Sequence, residues 1–369
     1  MSNRLLVGTR KGLFRIERDK NGNWGIVQSW FLGDPISMLL VEPHNSRLHV
    51  ALDLGHFGVK MHHSDDGGNS WSEALVPAFP DKPDGVEDKD PMRGLDTPWS
   101  TQMIWTLEAG GRPGELWCGV IPGGLFHSMD SGQSWTLVHS LWDDPRRRKW
   151  VGGGYDFAGI HSILVDPRDH AHVTIGVSVG GVWTTRDTGE QWSLIGSGLR
   201  NDYMPPEMAG DPVSQDPHRI VQCPADPDRL WMQHHNGIFR SDDSGEHWQE
   251  LNDVPPSGFG FAVAVHPGEP NTAWFVPATK DEQRIPVDAR LVVTRTRDGG
   301  RHFDVLHQGL PAEPAYDLTY RHALEVSRDG ERLAFGSTTG SLWVSEDQGD
   351  SWQTVSNHLP PVRCVRFEE

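Results

Sequence analysis

The strongest constraint on this chain is a short acidic turn that it writes repeatedly. SDDSGEHW, from Ser241, returns as SDDGGNSW from Ser64, SMDSGQSW from Ser128, TRDTGEQW from Thr185, TRDGGRHF from Thr296 and SEDQGDSW from Ser345. A degenerate copy, ERDKNGNW, starts at Glu17. The third-position aspartates, Asp19, Asp66, Asp130, Asp187, Asp243, Asp298 and Asp347, fall 47 to 64 residues apart, a period that marks a repeat architecture. Each turn closes a longer unit such as HSILVDPRDHAHVTIGVSVGGVWTTRDTGEQWSLI, in which four short β-rich runs are punctuated by Asp-Pro, a Gly pair and the turn. Four strands per unit predict a propeller blade.

The turn has a local rationale. Its aspartate can accept backbone N–H bonds, its Ser or Thr hydroxyl adds another, and its glycine takes φ > 0. The closing Trp buries a large ring between sheets. At the chain ends, RLLVGTRKGLFRIERDKNGNWGIV supplies three strands of a unit and PVRCVRFEE the missing first one. Pairing them covers edges that would otherwise invite aggregation. The expected fold is all-β: one domain over residues 1–369, a seven-bladed β-propeller of four-stranded antiparallel blades closed by the C-terminal strand.

Composition narrows the partners. The 33 Lys and Arg against 51 Asp and Glu give a net charge of −18, which argues against nucleic acid or an anionic membrane. Cys118, Cys223 and Cys364 are too scattered for a disulfide framework or a CxxC metal site, and read as buried thiols. The apolar run Leu5 to Val7 is too short for a signal-peptide core or a membrane span, so a cytoplasmic location is expected.

The pattern S/T-x-D-x-G-x-x-W resembles the Asp-box, or BNR, repeat family over essentially the whole chain. That family includes sialidases, xyloglucan-acting glycoside hydrolases, the luminal domain of sortilin and a photosystem II assembly factor, so the fold alone does not imply an activity. The resemblance implies that the boxes lie opposite the usual ligand face and are structural. It is not to a typical sialidase, because the first unit lacks the F/Y-R-I-P motif. The string QRIP at Gln283–Pro286 lies in the sixth unit without the leading aromatic and reads as chance, leaving Arg284 a residual candidate for binding a carboxylate.

Function is then expected in the irregular loops. These hold all four tyrosines, Tyr155, Tyr203, Tyr316 and Tyr320. Aligning HSILVDP, HRIVQCP and HALEVSR sets His161, His218 and His322 at one equivalent position, where three imidazoles would face a central channel. Together with Asp53 they suit a divalent metal, with neutral imidazole ligands. Without metal, the same histidines suit general-base chemistry, with Tyr155, Tyr316 or Tyr320 as acid. A His opening a strand can equally serve only a neighbouring backbone. His56, His234 and His235 are further ligand-binding candidates, as are Tyr316 and the anion-binding Arg10, Arg146 and Arg321. Asp53, Asp96, Asp143, Asp144, Asp156 and Asp317 could supply a carboxylate pair.

Two readings remain open. One is a carbohydrate-active or related hydrolase or lyase, with a pocket of His, Tyr, Arg and Asp taking a small-molecule or glycan-like ligand, with or without metal. The other is a non-enzymatic platform whose loops bind a protein partner.

Overall fold

The computed structural model describes residues 2–312 and 314–368, and these form seven four-stranded antiparallel sheets. Sheet 1 is Val362–Glu368, Arg4–Thr9, Gly12–Arg18 and Trp24–Trp30; sheet 2 is Ile36–Val41, Leu48–Asp53, Val59–Ser64 and Ser72–Ala74. Sheet 3 is Met103–Ala109, Leu116–Ile121, Leu125–Ser128 and Thr136–Leu137; sheet 4 is Ile160–Val165, Val173–Val177, Gly181–Thr185 and Ser193–Ile195. Sheet 5 is Pro217–Cys223, Asp226–His234, Ile238–Ser241 and Gln249–Leu251. Sheet 6 is Gly260–Val265, Ala273–Pro277, Val293–Thr296 and Asp304–Leu306; sheet 7 is Leu324–Val326, Leu333–Gly336, Leu342–Ser345 and Gln353–Ser356. The last strand pairs with the first in antiparallel register, Leu5 opposite Phe367 and Val7 opposite Val365. The fold is therefore a seven-bladed β-propeller whose first sheet is completed by the C-terminal strand, as the two chain ends predict.

Strand composition follows burial. Strands covered on both faces read as unbroken apolar runs, and Leu116–Ile121 and Gly260–Val265 are buried at every position. Outer strands such as Ser72–Ala74 and Asp304–Leu306 are mostly exposed. The chain gathers into two compact units: Met1–Ser37, Val221–Ser244 and Gln249–Glu369 in unit 1, and Met38–Ile220 with Gly245–Trp248 in unit 2. In unit 1, Trp231 and Ile238 of sheet 5 pack on Val263 and Phe275 of sheet 6. Trp274 and Val276 of sheet 6 then meet Phe335 and Trp343 of sheet 7, and Ala334 and Val344 of sheet 7 meet Leu5, Val7 and Val365 of sheet 1. In unit 2, Trp117 and Leu125 of sheet 3 pack against Ile160, Val173 and Trp183 of sheet 4.

The repeated turn has one geometry in five of its copies. Ser64 Oγ donates to Asp66 Oδ1 at 2.8 Å and accepts from Gly68 N at 2.7 Å, while Asp66 Oδ1 accepts from Ser70 N at 2.8 Å. The same three bonds recur around Asp130, Asp187, Asp298 and Asp347. Two successive residues adopt left-handed backbone, such as Ser131 at φ 55° and Gly132 at φ 77°, so the recurring glycine answers only half of the turn's demand and Ser, Thr, Gln or a second Gly takes the other. The closing Trp24, Trp192, Trp248 and Trp352 are buried.

These bonds predict an acid limb in stability. Hydrogen bonds from Ser70 and Ser64 lower Asp66 to about 2. At Glu42, burial opposes ionisation, but bonds from His49 and Ser131 outweigh it and hold the carboxyl below its usual range. A depressed native pKa gives stability that is complete above the unfolded carboxylate value of about 4 and is lost as pH falls through the native one. The melting temperature should therefore fall as pH drops from about 4 towards 2, and Asp66→Asn should lower it at neutral pH and weaken that acid dependence. Thermal melts across pH test this; an Asp66→Asn profile parallel to that of the parent protein would contradict it.

Candidate functional site

Four inner strands break register near their first residues. In sheet 3, Ile104 pairs with Val120 and Thr106 with Gly119, so Trp105 is the extra residue. His161 is skipped likewise in sheet 4, Phe261 and Ala262 fall in the irregular stretch of sheet 6, and Arg363 is skipped in the last strand. A bulge interrupts the alternation of side chains and re-aims one of them. Bulky side chains thus recur near the start of these strands.

In unit 2 the long connections 75–102 and 138–159 meet over such a bulge. The Trp105 ring lies 5.1 Å from Tyr155 and 5.4 Å from His161, edge to face in both cases. Tyr155 is 43% exposed, Trp105 is 7% exposed and His161 is fully buried. His161 Nδ1 bonds Ser162 Oγ at 3.0 Å, and its carbonyl accepts from Arg219 Nη1 at 3.0 Å. Beside this shelf, Asp88 accepts from Arg147 Nη2 at 2.7 Å and from Trp99 Nε1 at 3.0 Å. The Arg147 guanidinium lies 3.8 Å from the Trp142 ring centre, and its Nε donates to Trp142 O. Asp90 caps the 90–95 turn through Met92 N and Arg93 N and also accepts from Gly152 N. Arg93 in turn donates to the carbonyls of Gly152 and Asp156, which bracket Tyr155. Between the latched loops lies a small cleft of about 20 Å³ lined by Asp88, Asp90, Thr97, Arg148, Trp150 and Phe157, among others.

The other unit 2 candidates sit as follows. His218 is the second residue of its strand, as His161 is of its own, and its Nε2 lies 3.7 Å from buried Asp216. Asp53 ends the strand Leu48–Asp53, and His56 stacks on exposed Phe57 at 3.9 Å. Arg146 is held by Asp144 at 2.6 Å and lies over Trp183. Asp143 pairs with His139, and Asp96 forms an isolated bridge with Lys89.

In unit 1 the structure joins residues that the sequence left separate. Phe261 packs edge-on with Phe259 at 5.4 Å and Tyr320 at 4.8 Å. Arg284 and Arg321 both lie against its ring, 5.2 and 5.4 Å from the centre. Arg284 also points Nη1 at the Tyr320 hydroxyl, 3.5 Å away. His235 stands 5.9 Å from Phe259, and His234 is buried against Phe239. His322 lies in the short turn Arg321–Ala323 ahead of its strand, not inside the strand. Tyr316 is exposed, Asp317 accepts from Ser337 Oγ, and Arg10 bonds Pro361 O through its backbone.

Sequence reading missed Trp105, Phe261 and the Asp88–Arg147 pair. The first two carried a signal, since WTLEA and FAVAV align with HSILV at the bulge position. Asp88 and Arg147 carried none, being 59 residues apart in irregular loops.

No family model matches the chain. Over 260 residues, 67% of its length, it is 26% identical to the oligoxyloglucan-reducing end-specific xyloglucanase of Emericella nidulans, covering 26% of that protein. The chain spans no more than about a third of the length of the curated relatives it matches. Its fold is similar to that of the GH74 xyloglucanase from Xanthomonas campestris, with a TM-score of 0.65 and 18% identity over 97% of this chain and 53% of that one. It is also similar to YCF48 bound to D1 peptide, with a TM-score of 0.53 and 17% identity over 96% and 91% of the two chains. Among the described residues no helix is long and apolar enough to cross a membrane. The chain is thus similar in sequence to xyloglucanases and in fold both to a xyloglucanase and to YCF48.

Proposed function

We propose that this chain is a carbohydrate-active hydrolase of the Asp-box propeller type, binding a glycan on its irregular loops. The observation that carries this reading is the shelf in unit 2: half-exposed Tyr155 on buried Trp105, held by the loops that Asp88 and Asp90 latch. Sugar rings present apolar C–H faces that pack on aromatic rings. Tyr155 is the contact group, and buried His161 supports Trp105 from behind. The similarity to xyloglucanases supports a polysaccharide of the β-glucan kind as the ligand.

The test is release of reducing ends from a panel that includes xyloglucan and its oligosaccharides. The parent protein should act on at least one member, and Tyr155→Ala should raise KM roughly tenfold, the worth of one aromatic packing contact. If the parent protein neither cleaves nor retains any glycan, the proposal fails.

One observation favours the second reading, a protein-binding platform. Met92 and Leu95, on the same latched loop, are 64% and 45% exposed, which suits a protein contact more than a sugar.

A further inference from the structure

We infer that a polar cleft in unit 2, at the end of sheets 3 and 4 that carries the repeated turns, binds a neutral sugar at a site separate from the Tyr155 shelf. The cleft measures about 280 Å³ and is lined by Arg112, Glu115, Arg168, Asp169 and His170, with Ala171 and Thr188. Its two main segments follow the strands Met103–Ala109 and Ile160–Val165, whereas Tyr155 precedes the second of them. A six-residue strand spans about 20 Å, so one sugar ring cannot touch both places. The inference stands on the cleft's own chemistry and needs no catalysis at the shelf.

The cleft is built, and its construction starts from a glycine pair. Gly110 and Gly111 do not adopt left-handed backbone, so turn geometry does not call for them. A Cβ on Gly110 would run into the Glu115 side chain, and one on Gly111 into the His170 ring. Both positions are therefore bare so that a carboxylate and an imidazole can close on one stretch of backbone. Glu115 is 3% exposed and accepts from His127 Nε2 at 3.0 Å and from Arg112 N at 3.2 Å. His127 is fixed in turn by stacking on Trp117, with ring centres 4.0 Å apart. Asp166 takes Arg168 at Nε and Nη2, at 3.0 and 2.7 Å, and locks the guanidinium plane. The neighbouring box turn steadies the 168–171 segment, with Thr188 N donating to Ala171 O at 3.0 Å.

The lining selects the class of ligand. Arg112 and Arg168 offer N–H donors, Glu115 and Asp169 offer carboxylate acceptors, and the His170 imidazole can do either. Two guanidiniums against two carboxylates leave no excess of either sign to hold a lone anion or cation. Ala171 alone among the lining residues is apolar, which turns away an apolar ligand. A vicinal pair of hydroxyls donates and accepts at once, and so fits a guanidinium fork on one side and a carboxylate on the other. Among the described residues the Arg112 guanidinium makes no ion pair or side-chain hydrogen bond, so its fork is available. The volume lies near the lower end of ligand pockets, about 300–1,000 Å³, which suits a single sugar ring or a short oligosaccharide end.

Ligand-observed NMR titrations with glucose, galactose and xylose test the inference on the whole chain, in the parent protein and in Tyr155→Ala, where the shelf is disabled. At least one of these sugars should bind both proteins alike. Arg112→Ala added to Tyr155→Ala should cut that affinity roughly tenfold to a hundredfold, the worth of a hydrogen bond to a charged group. Gly111→Ala should weaken it as well, by pushing the His170 ring aside. Arg112 is exposed, so its variant should keep the parent melting temperature and, on its own, the parent turnover of any glycan cleaved at the shelf. Should Gly111→Ala melt early, His170→Ala reads the same contact. No sugar bound by Tyr155→Ala, indifference to Arg112→Ala, or displacement of the sugar by equimolar inorganic phosphate would overturn the inference. Sugar bound by the parent protein but not by Tyr155→Ala would overturn it while leaving the hydrolase reading intact. Sugar held by Tyr155→Ala and released by Arg112→Ala, with no glycan cleaved by the parent protein, would support it and end the hydrolase reading.

Discussion

A chain shortened to end at Pro361 is expected to lose cooperative unfolding and to aggregate. The missing strand, Val362–Glu368, supplies the inner edge of sheet 1 and pairs along Arg4–Thr9. It places Val362, Val365 and Phe367 within a cluster that includes Leu5, Val7, Ala323, Leu342 and Val344, and its Cys364 is buried too. It also supplies Glu368, which holds Arg15 at 2.7 Å with both side chains mostly buried. Each large apolar side chain contributes about 1.5–3 kcal/mol, so three of them approach the total stability of a domain, about 5–15 kcal/mol. The exposed edge of Arg4–Thr9 would then offer unpaired N–H and C=O groups to other chains. Urea unfolding and size-exclusion chromatography read this directly, and a truncated chain that stays monomeric with an unchanged midpoint would contradict it.

The second large effect is expected at Asp88. Its carboxylate and the Arg147 guanidinium are both buried, at 2% and 8% side-chain exposure. Removing one member of such a pair strands the other charge and typically costs about 3–5 kcal/mol, whereas replacing both by apolar groups can be nearly neutral. Asp88→Ala should therefore lower stability by about that amount, and Arg147→Met added to it should restore much of the loss. Because Asp88 also accepts from Trp99, and its loop holds Arg93 to the backbone beside Tyr155, glycan binding should weaken with it. A loss below about 1 kcal/mol would show that the pair is hydrated in solution and does not latch the loops.

Much of this was legible in the sequence because the repeat sets period, turn chemistry and closure by local rules. Asp66, Ser64 and Gly68 bond one another within a few residues, and so a string predicts them. The tyrosines also fall outside strands, as their loop context implies. The site is different in kind. Trp105 faces Tyr155 because of a one-residue slip in pairing, which shows only when WTLEA is aligned with HSILV and not in that strand's own alternation. Arg284, read as chance beside Ile285 and Pro286, lies on Phe261 and Tyr320 because two irregular loops converge, a matter of tertiary packing alone. His322 aligned with His161 by sequence yet stands in a turn, since the inner strand of sheet 7 begins only at Leu324.

The central claim is a division of labour: the recurring turn holds the fold and the unrepeated loops meet the ligand. Melting temperature and turnover of a cleaved glycan, measured together for Asp187→Ala and Tyr155→Ala, test it most directly. Asp187 accepts from Thr185 and Gln191 within its own turn, so its variant should melt earlier while the folded fraction keeps the parent KM and kcat. Tyr155→Ala should melt with the parent protein and lose affinity for the glycan. The reverse pattern, with catalysis lost at Asp187 and untouched at Tyr155, would contradict the account.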